Sequence, residues 1–285
     1  MSNLKIAVQK SGRLHQDSMQ LLKDIGISIN NGKDQLKASA QNFPLEIFYL
    51  RNGDIPQYLK DGVVDAAIIG ENVLAEKATD ILKLEKLGFS KCRVSIAIPK
   101  GVSYENVSDL EGKQIATSYP NTVNRFLEEN NINASIHVIN GSVEIAPNIG
   151  LADAIVDIVS SGSTLFKNNL TEKNVILTSE AVLSVSPKIS DFKQELLNTL
   201  RFRIRSVLKG RQSKYILLNA PDDKLNDIIK ILPGMNSPTV LPLAKKGWSS
   251  VHSVIDKNQF WEIIDALKQN GAEGILICSI EKMVI

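Results

Sequence analysis

The sequence has few of the residues that build metal clusters or disulfides. Its 285 residues include two cysteines, Cys92 and Cys278, which lack C-x-x-C spacing, and three scattered histidines. This pattern favours a disulfide-free protein without a metal-ligand cluster. Long apolar runs are lacking too, since no stretch approaches the ~18 residues of a membrane span and the N-terminus has no apolar core typical of an export signal. We therefore expect a cytoplasmic protein that is not bound to a membrane.

An excess of charge of one sign is also missing. The chain has 33 Lys and Arg residues against 31 Asp and Glu residues, so its formal net charge is only +2. This balance gives no reason to expect nucleic acid or an anionic membrane as a partner. A chain of this length folds into two or three compact units, so its ligand must be recognised by a local site.

One supersecondary unit occurs twice. Residues 140–158 repeat the Asn, Gly, Gly, Asp and Ala of residues 52–70 at a constant offset of 88, which is 140 minus 52. Each window predicts an Asn-Gly turn, a short helix that a glycine ends, and an apolar strand that begins at Asp-Ala. Strands that alternate with helices indicate parallel sheets, so we expect two similar α/β lobes.

The expected lobes are connected by two crossings. We assign residues 1–98 and 183–211 to the first lobe and residues 99–182 to the second, which gives a hinged, bilobed body with a cleft. A helical apolar stripe from Phe192 to Val207 favours the return to the first lobe.

Residues 212–285 form a separate C-terminal domain in this interpretation. Their pattern reads β-α-β-β-α-β, which is the ferredoxin-like motif, and a module of this size can fold alone.

A run of small hydroxylic residues follows the strand of the second repeat. Where the first copy has Ile-Gly-Glu-Asn at residues 69–72, the second has Asp157 and then Ser160, Ser161, Gly162, Ser163 and Thr164. A hydroxyl-rich loop that opens a helix directs N–H and O–H groups at an anion, so the loop resembles a phosphate cradle.

Two aspartates accompany this loop. Asp153 and Asp157 lie on the same face of the predicted strand. A carboxylate beside a phosphate site suggests a phosphorylated ribose with Mg²⁺. Asp65 matches Asp153 in the first copy, so Asp153 has a structural alternative.

In the first lobe, a loop with Lys10, Gly12 and Arg13 joins a strand to a helix, and Glu71 follows another strand. Cations at the carboxyl end of a parallel strand suit an anionic ligand at the mouth of the cleft.

The spaced residues of the second copy resemble the signature of the ATP phosphoribosyltransferase family, in its long form. They are Glu144, Gly150, Ala152, Ile155, Asp157, Ile158, Ser161-Gly162 and Thr164-Leu165. The resemblance implies two periplasmic-binding-protein-like α/β lobes and an ACT-like regulatory domain that senses histidine. It also implies that N1 of ATP displaces pyrophosphate from phosphoribosyl pyrophosphate, the first step of histidine biosynthesis. Mg²⁺ would be held mainly by the substrate phosphates, and the enzyme would be a homo-oligomer, from dimer to hexamer.

The same resemblance assigns roles to particular residues. Asp157 and residues 160–164 would bind phosphoribosyl pyrophosphate, with Asp157 on the ribose diol, while Asp153 and Glu144 would support them. The residues that would face ATP or pyrophosphate are Lys10, Gly12, Arg13, Glu71 and Tyr119. Ser237 and Thr239, with the backbone near Gly274, would lie in or beside the histidine pocket, although the turn 233–240 alone reads as a plain connection.

Three alternatives use the same lobes. A solute-binding protein would need an export signal. A regulatory protein would have kept the fold and lost the activity. A hydroxymethylbilane synthase-like transferase would attach its cofactor to a cysteine of a third domain, but Cys278 lies in an apolar strand that we expect to be core.

Overall fold

The computed structural model of the chain describes residues 3–29, 36–77, 80–232, 234–235 and 237–284. The chain divides into two compact units, Met1–Leu197 and Asn198–Ile285. In these described ranges, no helix is both long and apolar enough to cross a membrane.

The first unit contains two sheets, and the first of them holds most of the N-terminal elements. In chain order these are β1 (Leu4–Gln9), α1 (Arg13–Asp24), β2 (Lys37–Ser39), β3 (Leu45–Leu50), α2 (Ile55–Lys60), β4 (Ala66–Gly70), α3 (Glu71–Lys77) and β5 (Leu82–Lys86). β1 pairs in parallel with both β3 and β4. All residues of β4 before its last glycine are buried, as expected for a central parallel strand covered on both faces.

The second sheet holds the elements that follow. They are β6 (Cys92–Pro99), β7 (Gln114–Thr117), α4 (Pro120–Glu129), β8 (Ser135–Val138), β9 (Ala154–Val159), α5 (Ser163–Lys167) and β10 (Leu170–Ser179). β7 pairs in parallel with β8 and β9. The short helix predicted before β9 is replaced by two 3-10 turns, Val143–Ile145 and Pro147–Ile149, and Pro147 begins the second of them.

Each sheet has one antiparallel strand at the point where the chain crosses between the lobes. The strand β11 (Ala181–Val185) joins the first sheet, which has the order β2-β3-β1-β4-β11-β5, and the second sheet has the order β10-β6-β9-β7-β8. β11 lies antiparallel to β4, and β6 lies antiparallel to β9. The two sheets thus share the arrangement β3-β1-β4-β11 and β8-β7-β9-β6, which confirms the two similar α/β lobes. Residues 92–98, which the sequence predicts to belong to the first lobe, lie in β6, and this strand pairs with β9 and β10 of the second sheet.

Two aspartates hold equivalent positions in the two lobes. Asp65 accepts a 2.8 Å hydrogen bond from the Lys5 amide, and Asp153 accepts one of 2.9 Å from the Gln114 amide. The amide of each aspartate donates back to the carbonyl of the same partner. Each side chain therefore joins the start of one strand to its neighbour, so the structural alternative for Asp153 is the one that the geometry supports.

The second unit has the ferredoxin-like arrangement. Helix α6 (Asp191–Gln212) runs across the boundary of the units, and the elements after it are β12 (Ser213–Pro221), α7 (Leu225–Ile231), β13 (Thr239–Pro242), β14 (Trp248–Asp256), α8 (Phe260–Gln269) and β15 (Glu273–Ser279). The strands form an antiparallel sheet with the order β13-β14-β12-β15, and this confirms the predicted β-α-β-β-α-β motif.

Two sequence-based expectations change in this region. Cys278 is exposed rather than core, because β15 is an edge strand whose alternate side chains face outward. Phe192 is exposed as well, so the apolar stripe of α6 begins at Leu197. Pro233 and Asn236 of the predicted ligand-like turn lie outside the described residues.

Candidate active site

The hydroxyl-rich loop connects β9 to α5 and lines a small pocket. Gly162 caps α5 with φ +78°, a left-handed conformation that residues with a Cβ rarely adopt. Ser160, Ser161, Ser163 and Thr164 are exposed, and the Ser161 and Ser163 hydroxyls lie 3.1 Å apart. The pocket has a volume of about 140 Å³, and Glu144 and Asp157 line it together with the loop. The structure thus brings the predicted phosphate loop together with Asp157 and Glu144, whereas Asp153 lines a different pocket.

The two carboxylates make this pocket suited to hydroxyl ligands. Burial raises the pKa of Asp157 and the nearby charge of Glu144 raises it further, against a lowering by the Ile158 amide. Carboxylates in such a position gain from accepting hydrogen bonds from a diol, which relieves their desolvation. Among the residues that the structure describes, no three His, Cys, Asp or Glu side chains cluster as a metal site.

A larger cleft adjoins the loop pocket, and Ser160 lines both. Its volume is about 370 Å³, and its lining includes cations and acids from both lobes: Glu71, Lys86, Lys91, Cys92, Arg93, Ser160, Thr178, Ser179 and Glu180. Three cations against the two carboxylates Glu71 and Glu180 leave this lining with a formal excess of one positive charge, which suits an anionic ligand. Burial raises the pKa of the Cys92 thiol, so this cysteine is a neutral group of the wall.

The first lobe contributes Arg13 to the loop. Gly12 caps α1 with φ +88°, and Arg13 begins that helix. The Arg13 Nη1 atom lies 3.4 Å from the Ser160 hydroxyl, so this side chain reaches the opposite lobe as predicted. Lys10 is exposed directly after β1, where its backbone amide donates to the Leu50 carbonyl.

Glu71 and Tyr119 also lie near the cleft, but each already has protein partners. The Glu71 carboxylate contacts Lys83 at 2.6 Å and Lys86 at 3.9 Å, so its charge is offset by two cations. The Tyr119 hydroxyl accepts a 3.0 Å hydrogen bond from the Asn72 amide group. Burial raises the pKa of Tyr119, so the phenol keeps its proton and remains a hydrogen-bond donor.

The lobes are joined by a buried carboxylate. Glu76 of α3 accepts hydrogen bonds from the Asn121 and Thr122 amides and from the Thr122 hydroxyl. These donors form the N-terminus of α4, which favours negative charge. Asn72 adds a second link, because its amide donates to Ser179.

Sequence reasoning missed four side chains of this region: Glu76, Lys86, Lys91 and Arg93. Their partners lie in distant parts of the chain, and single charged residues in a sequence carry no local signal of such pairing. The predicted lobe boundary between residues 98 and 99, which lies close to Arg93 in the sequence, is the one available hint.

The predicted effector residues do not form one cluster. Thr239 belongs to β13 and Gly274 to β15, which are the opposite edges of the sheet. Three strand spacings separate them, or about 14 Å, which is longer than a histidine molecule. Ser237 is exposed beside Thr239, so these two residues share one edge.

Comparison with known proteins agrees with this geometry. Residues 51–206 match the family model described as ATP phosphoribosyltransferase, and residues 210–282 match the model of the HisG C-terminal domain. The ATP phosphoribosyltransferase of Cytophaga hutchinsonii is 53% identical over 281 residues, which cover 99% of this chain and 98% of that protein. The one from Phocaeicola vulgatus is 53% identical over 282 residues, which cover 99% of this chain and all of that protein.

Solved structures give the same result. The ATP phosphoribosyl transferase (HisG:HisZ) complex from Thermotoga maritima contains a chain that is 32% identical and superposes with a TM-score of 0.63. The match covers 72% of this chain and 98% of that one. The family model spans more than half of the sequence, and close relatives match it from end to end. This chain therefore belongs to the ATP phosphoribosyltransferase family, the pentosyltransferases of the first step of histidine biosynthesis.

Proposed function

We propose that the loop pocket and the adjoining cleft bind the two substrates of the family reaction, phosphoribosyl pyrophosphate and ATP. In that reaction adenine N1 forms a bond to C1 of the ribose while the bond from C1 to the pyrophosphate oxygen breaks. N1 has a free lone pair, so no strong base is required. The protein must orient two anions and stabilise the departing pyrophosphate.

The main support for the proposal is that the hydroxyl loop and two carboxylates, Asp157 and Glu144, line the same pocket. The N–H and O–H groups of residues 160–164 suit the 5-phosphate. Asp157 suits the ribose diol, because its raised pKa marks a partly buried carboxylate that gains from hydroxyl donors. Glu144 lies beside it and supports the same contact.

The cations of the cleft suit the triphosphate and the leaving group. Arg13 reaches the loop from the first lobe, so it is placed to contact a phosphate that lies between the lobes. Lys86 and Lys91 line the same space. Tyr119 keeps its proton and can donate a hydrogen bond to a phosphate or to adenine. Glu71 lies in the wall of the cleft, but Lys83 and Lys86 offset its charge and so limit its repulsion of the substrate phosphates.

We infer that Mg²⁺ accompanies the substrates. The residues fit an ion held mainly by substrate phosphates, since the pocket offers two carboxylates and the described chain has no cluster of three ligands. Such an ion supplies charge neutralisation on pyrophosphate. Asp157 and Glu144 are the carboxylates of the loop pocket that would help to hold it.

The C-terminal domain is proposed to act as a histidine sensor, at the edge formed by Ser237 and Thr239. Support comes from the ferredoxin-like fold and from the match to the family C-terminal model. We also infer a homo-oligomer, between dimer and hexamer, through which histidine could couple to the distant cleft. A cytoplasmic location follows from the use of ATP in a biosynthetic step.

Replacing Thr164 by valine tests the loop assignment. The change keeps the shape of the side chain and removes a hydroxyl, and losing a hydrogen bond to a charged group costs about 1.5–3 kcal/mol, or roughly 10- to 100-fold in affinity. We expect this loss for phosphoribosyl pyrophosphate, with ATP affinity unchanged, in calorimetric titrations. Thr164→Ser, which keeps the hydroxyl, is the matched control and should bind like the wild type. If Thr164→Val and the wild type bound phosphoribosyl pyrophosphate with equal affinity, the loop would not be part of the binding site.

A further inference from the structure

Arg93 and Glu172 form a fixed pair at the base of the hydroxyl loop. Arg93 lies in β6, and its Nε and Nη2 atoms donate to the two carboxylate oxygens of Glu172 in the neighbouring β10. Ser95 also donates to Glu172, at 2.7 Å. The Arg93 hydrogen bonds lower the pKa of Glu172, so the carboxylate stays charged and holds the guanidinium in one orientation.

The same guanidinium makes a third contact, to the loop itself. Nη1 of Arg93 donates to the Ser160 carbonyl oxygen at 3.2 Å. Ser160 follows directly on Val159, the residue of β9 that pairs with Arg93 across the sheet. The loop is therefore tethered through its first peptide group, and the tether crosses three neighbouring strands, β10, β6 and β9.

We propose that Arg93, held by Glu172, is a positioning residue that fixes the phosphoribosyl-binding loop before substrate arrives. The proposal rests on the function assigned above to residues 160–164. A fixed carbonyl at Ser160 sets the plane of the peptide that follows, and with it the direction of the next amide. An ordered loop loses less conformational entropy on binding, so affinity for the sugar phosphate rises.

The geometry requires an arginine. Two donors engage the carboxylate and a third engages the carbonyl, in the planar fork that guanidinium provides. The three ammonium donors of a lysine diverge from one point and cannot reproduce this arrangement. Charge alone is thus insufficient, which separates this role from that of a general cation in the cleft.

The test uses the full chain with Arg93→Lys, Arg93→Met and Glu172→Gln. The matched control is Lys173→Met, which removes the neighbouring cation of β10, whose ammonium lies 5.8 Å from the Tyr104 ring. Amide hydrogen exchange reports the order of residues 160–164, and calorimetry reports the affinities for phosphoribosyl pyrophosphate and for ATP.

All three test variants should show faster exchange in the loop and about tenfold weaker binding of phosphoribosyl pyrophosphate, with ATP affinity unchanged. Glu172→Gln is decisive, because it retains the Arg93 charge and releases its orientation. Lys173→Met should match the wild type in both measurements.

Unchanged loop exchange in Arg93→Met would overturn the inference, as would an Arg93→Lys variant that binds like the wild type. A purely structural pair would instead speed exchange in β6 and β10 and leave sugar-phosphate affinity alone. Failure of the proposed function has another signature: the wild type itself would not bind phosphoribosyl pyrophosphate, while loop exchange would still respond to Arg93.

Discussion

Replacing Glu76 by glutamine perturbs the polar link between the two lobes. The Glu76 residue is 7% exposed. One carboxylate oxygen accepts from the Asn121 amide at 2.9 Å, and the other accepts from the Thr122 amide and hydroxyl at 2.8 Å each. Glutamine has nearly the same shape but offers one oxygen and one NH₂ group. Whichever way it is oriented, one backbone N–H then faces another donor.

The expected loss of stability follows from this unpaired backbone N–H group. A buried donor without an acceptor costs about 1–3 kcal/mol, and the hydrogen bonds that remain lose the strength that the charge gave them. Losing negative charge at the N-terminus of α4 costs about 0.3–1 kcal/mol more. We therefore expect the free energy of unfolding to fall by about 2–4 kcal/mol. Thr122→Val removes only the hydroxyl and should cost about 1.5 kcal/mol.

Urea unfolding followed by far-ultraviolet circular dichroism measures both variants, and amide exchange at residues 121 and 122 locates the change. We expect the wild type to unfold at the highest urea concentration, Thr122→Val at a lower one and Glu76→Gln at the lowest. A Glu76→Gln midpoint equal to that of the wild type, with unchanged exchange at these two amides, would refute the assigned role of the carboxylate.

Three further predictions concern the substrate and effector sites. Arg13→Met should slow turnover at least tenfold, because it removes one contact to a substrate phosphate. The unfolding midpoint should not change, because an exposed cation contributes little to folding. A large fall in stability would contradict this prediction. Asp157 has a raised pKa in the folded state, so its stabilising contribution is complete at pH values below its unfolded pKa and is lost as pH rises through the folded pKa. Asp157→Asn should therefore melt at a higher temperature than the wild type at neutral pH, with a gap that closes on acidification, while phosphoribosyl pyrophosphate binds at least tenfold more weakly; a lower melting temperature at neutral pH would be inconsistent. Thr239→Val should weaken histidine inhibition about tenfold without changing the activity measured in the absence of histidine. Equal inhibition of the variant and the wild type would show that histidine does not bind at the sheet edge that contains Thr239.

The repeat made much of the first unit predictable. Because residues 52–70 and 140–158 share their turn, glycine and Asp-Ala positions, the two lobes and the equivalence of Asp65 with Asp153 followed from the sequence. The loop 160–164 was found by the contrast between the copies. These signals are local, and each depends on the conformations that short segments prefer.

The remaining features depend on pairing between distant residues. Arg93 and Glu172 are 79 positions apart, and Glu76 and Thr122 are 46 apart. No periodicity in the sequence connects them. The choice of the sheet that β6 joins is equally non-local, since its partners lie in later strands. The opposite edges occupied by Thr239 and Gly274 follow from the strand order of the predicted ferredoxin-like motif and not from any local residue pattern.

We propose that this chain transfers a phosphoribosyl group to N1 of ATP by using the loop at residues 160–164. An assay of pyrophosphate release with both substrates and Mg²⁺, in the wild type and in Thr164→Val, tests this directly when the product is identified by nuclear magnetic resonance. We expect release only when both substrates are present, a new bond between ribose C1 and adenine N1, and a Michaelis constant for phosphoribosyl pyrophosphate that rises roughly 10- to 100-fold in the variant. Pyrophosphate release without ATP, a product joined at another atom, or wild-type kinetics in Thr164→Val would contradict it.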